Sequence, residues 1–204
     1  MKIGIMGGTF DPIHNGHLTI AETAYKQFGL NRIWFMPNGN PPHKARTTIG
    51  SGVEHRINMV KLAIEGHSGF RLELYEANKK SVSCSYETME HLKKIYPENE
   101  FYFIIGADSL FSIEKWVHPE RLFPTCTILA AYRGEKNTAE EMELQIEYLK
   151  EKYAAKVELL MSPLVDVSST ELRERICEGK SIAAFVPDKV EKYIVEEGLY
   201  GSKD

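Results

Sequence analysis

Two histidines three residues apart, His14 and His17, end a segment that reads Gly7-Gly8-Thr9-Phe10-Asp11-Pro12-Ile13-His14-Asn15-Gly16-His17. It follows a short apolar run at Ile3 to Met6 and leads into a stretch with helical spacing. Glycines let backbone N–H groups come close to an anion, and a helix starting near Gly16 offers unpaired N–H groups and a positive dipole end. That chemistry suits phosphate. The spacing is neither that of a Walker loop, which needs Gly-Lys-Ser or Gly-Lys-Thr, nor GxGxxG, because the glycines fall as Gly4-x-x-Gly7-Gly8. The histidine pair admits three readings: a metal site, helix caps, or donors to phosphate oxygens on which charge grows during group transfer. No third ligand has the usual metal spacing, and the position directly after a strand favours the phosphate reading.

Two further clusters carry similar chemistry. Pro37-Asn38-Gly39-Asn40-Pro41-Pro42-His43-Lys44-Ala45-Arg46 is stiffened by its prolines and ends in cationic groups. Lys44 reads either as a point charge for a polyphosphate or as a solvated loop lysine. Val167-Ser168-Ser169-Thr170-Glu171-Leu172-Arg173 places hydroxyls ahead of a helix. Ser168 or Ser169 can cap it, with Glu171 or Glu174 completing a capping box, and the same helix start can face phosphates, with Arg173 as a forked donor. The two roles are compatible.

The elements that must position these groups alternate. Apolar runs at Lys2 to Met6, Arg32 to Met36, Phe70 to Leu74, Glu100 to Ile105, Thr125 to Ala131 and Lys156 to Leu160 read as strands. Amphipathic stretches read as helices at Gly16 to Phe28, Val53 to Glu65, Tyr86 to Ile95, Ser109 to Leu122, Thr138 to Lys152, Ser169 to Cys177 and Pro187 to Glu196. The pattern predicts an α/β fold, a Rossmann-like doubly wound and mainly parallel sheet with helices on both faces. It is read as a single domain over 1–204, with the helical part at about 168–200 packed on it. In such a sheet ligands sit beyond the carboxyl ends of the strands, where the order reverses, which is where the glycine-histidine segment falls.

Composition excludes other classes. The 204 residues are 43% hydrophobic and 26% charged, values of an ordinary globular chain. Lys and Arg number 25 against 29 Asp and Glu, a net charge of −4, so no overall positive field draws nucleic acid or an anionic membrane. No apolar stretch approaches the roughly 20 residues needed to cross a bilayer, and Ile3-Gly4-Ile5-Met6 reaches its glycines too early for a signal peptide. A cytoplasmic protein is expected. Cys84, Cys126 and Cys177 form no CxxC pair, so neither a disulfide framework nor a zinc knuckle is indicated.

The glycine-histidine segment and the Val167 to Arg173 segment together resemble the two signature motifs of the HxGH nucleotidyltransferase superfamily, and more closely those of the bacterial nicotinate-nucleotide adenylyltransferases. The resemblance extends to Trp34-Phe35-Met36-Pro37-Asn38, Pro41-Pro42-His43-Lys44, Ser85-Tyr86-Glu87-Thr88-Met89, Gly106-Ala107-Asp108, Lys115-Trp116, Arg133, Pro187-Asp188-Lys189-Val190 and Gly198-Leu199-Tyr200. It implies adenylyl transfer from ATP to nicotinate mononucleotide, giving deamido-NAD and pyrophosphate in NAD biosynthesis. The mononucleotide phosphate would attack directly, with Mg2+ carried on the ATP phosphates and no metal ligand from the protein. The resemblance assigns Gly7, Gly8, Thr9, Phe10, His14, His17, Lys44, Ser168, Ser169, Thr170 and Arg173 to ATP, with His14, His17, Lys44 and Arg173 as the catalytic set. It assigns Thr9, Ser83, Ser85, Gly106, Asp108, Trp116 and Arg133 to the mononucleotide, Trp116 stacking on the pyridine ring. A homodimer is common among such proteins.

The sequence departs from the family pattern at the pyridine end. Ser81-Val82-Ser83-Cys84-Ser85 stands for the usual Gly-Pro-Ser-Tyr-Thr, Val117 for a Tyr, and Gly134-Glu135 after Arg133 for Pro-Gly. The resemblance implies that N–H groups around Ser83 to Ser85 read the ring carboxylate, so the acid is expected to be preferred over the amide, whose own donors would meet them. Alternative readings are another HxGH enzyme, such as a phosphopantetheine adenylyltransferase, and a non-catalytic nucleotide sensor.

Overall fold

In a computed structural model the chain is described at residues 1–39, 50–79, 81–132 and 138–201. Six strands form one sheet: β1 (Lys2–Gly8), β2 (Arg32–Pro37), β3 (Phe70–Leu72), β4 (Glu100–Gly106), β5 (Thr127–Tyr132) and β6 (Lys156–Met161). Every neighbouring pair is parallel and the spatial order is β3-β2-β1-β4-β5-β6. The order reverses between β1 and β4, the point at which a doubly wound sheet leaves a crevice.

Period-two side chains feed two cores. Ile3, Ile5, Trp34, Met36, Phe101, Phe103 and Ile105 point to one face, against α3 (Ser85–Ile95), α4 (Ala107–Ser112) and α6 (Ala139–Tyr153). Met6, Ile33, Phe35 and Ile104 point to the other, against α1 (Asn15–Gln27), α2 (Val53–Ile64), α7 (Ser169–Cys177) and α8 (Asp188–Glu196). The strands therefore read as continuous apolar runs, as a sheet covered on both faces requires. Gly4 belongs to this packing: a Cβ there would come within 2.5 Å of Ile33 Cδ1.

Four local readings need correction. β1 runs two residues beyond Met6, so Gly7 and Gly8 are paired strand residues, opposite Met36 and Pro37 of β2. The chain turns at Phe10, which is left-handed at φ 51°. The helix expected over Ser109 to Leu122 is broken into α4, a 3-10 turn at Ile113–Lys115, and the short α5 (Pro119–Leu122). Pro119 has no N–H to continue a helix and disfavours right-handed helical geometry at the residue before it; His118 sits at φ 50°. β3 ends at Leu72 rather than Leu74, and β5 begins at Thr127, because Phe123–Thr125 with its central proline forms a 3-10 turn.

Candidate active site

The Gly7 to His17 segment is held by its own sequence. Gly8 is bare because the Phe10 ring folds back over it, 3.1 Å from where a Cβ would lie. Phe10 is itself 2% exposed and meets the His17 ring edge-on at 5.1 Å. His14 precedes α1 in extended geometry, and its backbone N–H donates to His17 Nδ1 at 3.3 Å. An accepting Nδ1 leaves Nε2 as the protonated nitrogen of His17. The two imidazoles lie 3.7 Å apart, centroid to centroid. Gly16 permits this, since a Cβ there would sit 3.0 Å from His14 Nδ1.

The second motif docks on the first. Ser168 Oγ caps α7 by accepting the Glu171 N–H at 3.2 Å, while Ser169 Oγ donates to the Pro12 carbonyl at 2.9 Å. The Arg173 guanidinium donates to the Asp11 carbonyl at 2.7 Å and to Thr170 Oγ1 at 3.3 Å. The capping reading of Ser168 thus holds, and the motifs at the two ends of the sequence share one loop.

Beyond the ends of β1 and β4 lies a cavity of about 640 Å3. Gly7, Gly8, Thr9, His14 and His17 line it from the first motif, and Ser168, Ser169 and Thr170 from the second. Gly106 and Asp108 line it from β4 and α4, Trp116 from the break after the 3-10 turn, and Ser83 and Ser85 from the approach to α3. The structure therefore gathers most residues singled out in the sequence around one space. Phe10 and Arg173 are not among the residues that line it. Lys44 and Arg133 lie outside the described residues. Trp116, freed from the helix expected for it, is extended and only partly buried, its ring edge-on to Phe103 at 6.3 Å.

The wall also holds residues the sequence reading did not assign. Asn38 and Glu76 face the cavity, and the Glu76 carboxyl accepts from Thr88 Oγ1 at 2.7 Å. Burial pushes that carboxyl up, with the Thr88 hydrogen bond and the Lys79 charge opposing. Cys84 is a poor nucleophile, because burial, reinforced by Glu87, raises its thiol. Ser83 Oγ is buried without a hydrogen-bond partner. Behind the loop, Arg56 is 1% exposed and donates to the Thr9 carbonyl at 2.7 Å. Burial lowers its guanidinium below the ordinary arginine range, with Asp11 and Tyr200 acting the other way. A signal for it exists in the sequence, since Arg56 shares the helical period of Met59, Val60 and Ala63 and so falls on the buried face of α2.

The site can position phosphates at two helix starts and orient a second group toward Trp116. Among the described residues, no group of three or more His, Cys, Asp or Glu side chains could hold a metal ion, and no helix is long and apolar enough to cross a membrane. A sequence profile described as cytidylyltransferase-like matches residues 5–175. A protein of Lachnoclostridium phytofermentans named "Probable nicotinate-nucleotide adenylyltransferase" is 44% identical over 98% of both chains. One of Clostridium kluyveri with the same name is 42% identical over 98% of this chain and 99% of its own. Among solved structures, the nicotinic acid mononucleotide adenylyltransferase of Plasmodium falciparum complexed with NaAD superposes with a TM-score of 0.79. It covers 98% of this chain and 97% of its own at 22% identity, a likeness of fold. By profile and by near-full-length relatives, the chain belongs to the cytidylyltransferase-like family, among the nicotinate-nucleotide adenylyltransferases.

Proposed function

We propose that the chain transfers the adenylyl group of ATP to nicotinate mononucleotide, releasing pyrophosphate and forming deamido-NAD, with the whole of 1–204 acting as one domain. The observation that carries this is the convergence of both motifs and the Ser83–Ser85 segment on one cavity at the reversal point of the sheet. The single-domain reading rests on α7 and α8, whose Leu172, Val190 and Ile194 enter the same core as Ile33 and Phe35.

The mechanism needs no protein nucleophile. The mononucleotide phosphate attacks the α-phosphorus in line, and the protein supplies position and charge stabilisation. His14 and His17 hold ATP phosphate oxygens at the start of α1, with Lys44 and Arg173 assigned to the same polyphosphate. Ser168 to Thr170 hold the phosphate and adenosine end, Gly106 and Asp108 the mononucleotide ribose, and Trp116 and Arg133 its base side. The described donor set, two histidines and scattered carboxylates, fits Mg2+ brought in by the nucleotide rather than a resident ion. Bound there, Mg2+ would offset charge on the departing pyrophosphate.

The ring carboxylate would meet the start of α3, where N–H groups and the helix dipole favour an anion over an amide. The cytoplasm is the expected setting for such small-molecule chemistry. The test is pyrophosphate release from ATP and Mg2+ with nicotinate mononucleotide, nicotinamide mononucleotide and phosphopantetheine run in parallel. Fast release with the first alone is expected. Release only with another acceptor overturns the substrate, and silence with all three overturns the catalysis.

A further inference from the structure

Behind the site loop, and outside the cavity, a carboxylate is surrounded by donors from three separate parts of the chain. Asp11 is 2% exposed. Its Oδ1 accepts from Ser51 Oγ at 2.5 Å and from the Tyr200 hydroxyl at 2.6 Å, and its Oδ2 accepts from the Gly50 N–H at 2.6 Å. Arg173 Nη1 lies 4.0 Å from Oδ2 and holds the carbonyl of the same residue. Each hydroxyl has one proton, and both protons go to Asp11, so the 3.1 Å contact between Tyr200 and Ser51 is a consequence of the shared acceptor.

Two bulky residues beside this carboxylate are left-handed, Phe10 at φ 51° and Tyr200 at φ 60°. Side chains of that size rarely adopt such a backbone, and it persists where the surroundings over-determine it. Phe10 has its ring seated over Gly8 and under His17. Tyr200 has its hydroxyl on Asp11 and its ring against the position of a Gly50 Cβ, 3.0 Å away. Burial, then the Asp11 charge and hydrogen bond, keep the phenol protonated and therefore a donor. The turn at Phe10 follows Thr9 and leads to His14, both of which face the cavity.

We propose that Tyr200 is a positioning residue for adenylyl transfer: by clamping Asp11 it fixes the Thr9–His14 turn against the reacting phosphates, from beyond α8. The proposal rests on the function proposed above for the catalytic readout. Removing the hydroxyl while keeping the ring leaves Oδ1 with Ser51 alone and frees the turn to shift. Displacing groups that line up a reaction lowers kcat, whereas substrate binding spread over the whole cavity changes little.

The experiment compares wild type and Tyr200→Phe for pyrophosphate release at 25 °C, with thermal melting and amide hydrogen exchange over residues 8–17. The expected result is about a tenfold fall in kcat, both KM values within about twofold, and faster exchange across the turn. Wild-type kcat overturns the proposal whatever the melting temperature does, as does a raised KM with kcat unchanged. If Tyr200→Phe does not fold, Ser51→Ala removes the other Oδ1 donor and carries the same expectations. A silent wild type would count against the proposed function alone, and the exchange rates would then decide: unchanged protection of residues 8–17 overturns the clamp.

Discussion

Gly16 is glycine for the sake of a neighbouring ring. The His14 imidazole is 5% exposed and packed 3.7 Å from that of His17, so it cannot retreat from a methyl group built 3.0 Å from its Nδ1. Alanine, though, is the better helix former by up to about 1 kcal/mol, which offsets part of the strain. Gly16→Ala should therefore keep its melting temperature within a few degrees while losing roughly ten- to a hundredfold in turnover. Steady-state rates beside a melting curve check this, and unchanged turnover would show that the ring's place does not matter. Glu76 makes a different prediction. Its carboxyl is raised chiefly by burial, so it contributes stability that is fully present below the unfolded carboxylate range and lost as pH rises through its folded value. Glu76→Gln removes the charge and keeps an acceptor for Thr88. The variant should melt with wild type at pH 4 and increasingly above it toward pH 8, and a gap that shrinks over that range would contradict the burial argument.

At the scale of elements, chain termination explains more than propensity does. α6 starts at a reciprocal cap, Thr138 Oγ1 accepting from the Glu141 N–H at 3.1 Å and Glu141 accepting from the Thr138 N–H at 2.7 Å, both partners lying within one turn. It ends at Ala154, exposed and left-handed at φ 51°. Ala154→Gly should stabilise by about 0.5–1 kcal/mol, a rise of roughly 1–4 °C, with activity untouched, since no packing is lost and the backbone strain is relieved. A lower melting temperature would mean that the added freedom of the unfolded chain outweighs that strain. The strand and helix pattern was legible because each signal sits inside its own element. The break at Trp116 was not read, although Pro119 announces it, because the apolar spacing of Leu110, Ile113 and Val117 continues a helical period through the kink.

Across the whole molecule, what the sequence concealed is long-range. His14, His17 and Ser168 to Thr170 were legible because each cluster is contiguous, but the partners of Asp11 are separated from it by 39 residues at Gly50 and 189 at Tyr200. No local pattern encodes that distance. The same long reach shapes how ligands should act. The cavity joins the end of β1, the end of β4, the start of α7 and the approach to α3, so a dinucleotide filling it would tie together parts of the chain that meet nowhere else in sequence. A ligand binding only the native state adds about 2.7 kcal/mol at a hundred times its Kd. For a chain of this size that is a rise of roughly 5–10 °C. Deamido-NAD should therefore raise the melting temperature by that amount at saturation. At the same molar concentration ATP, confined to the motif end, should protect less, and so should the amide dinucleotide, which meets the start of α3 without a carboxylate. Equal protection by all three would place the Ser83–Ser85 segment outside the ligand's reach and return the acceptor to question, whereas a graded series would tie the acid preference to the start of α3 without any measurement of turnover.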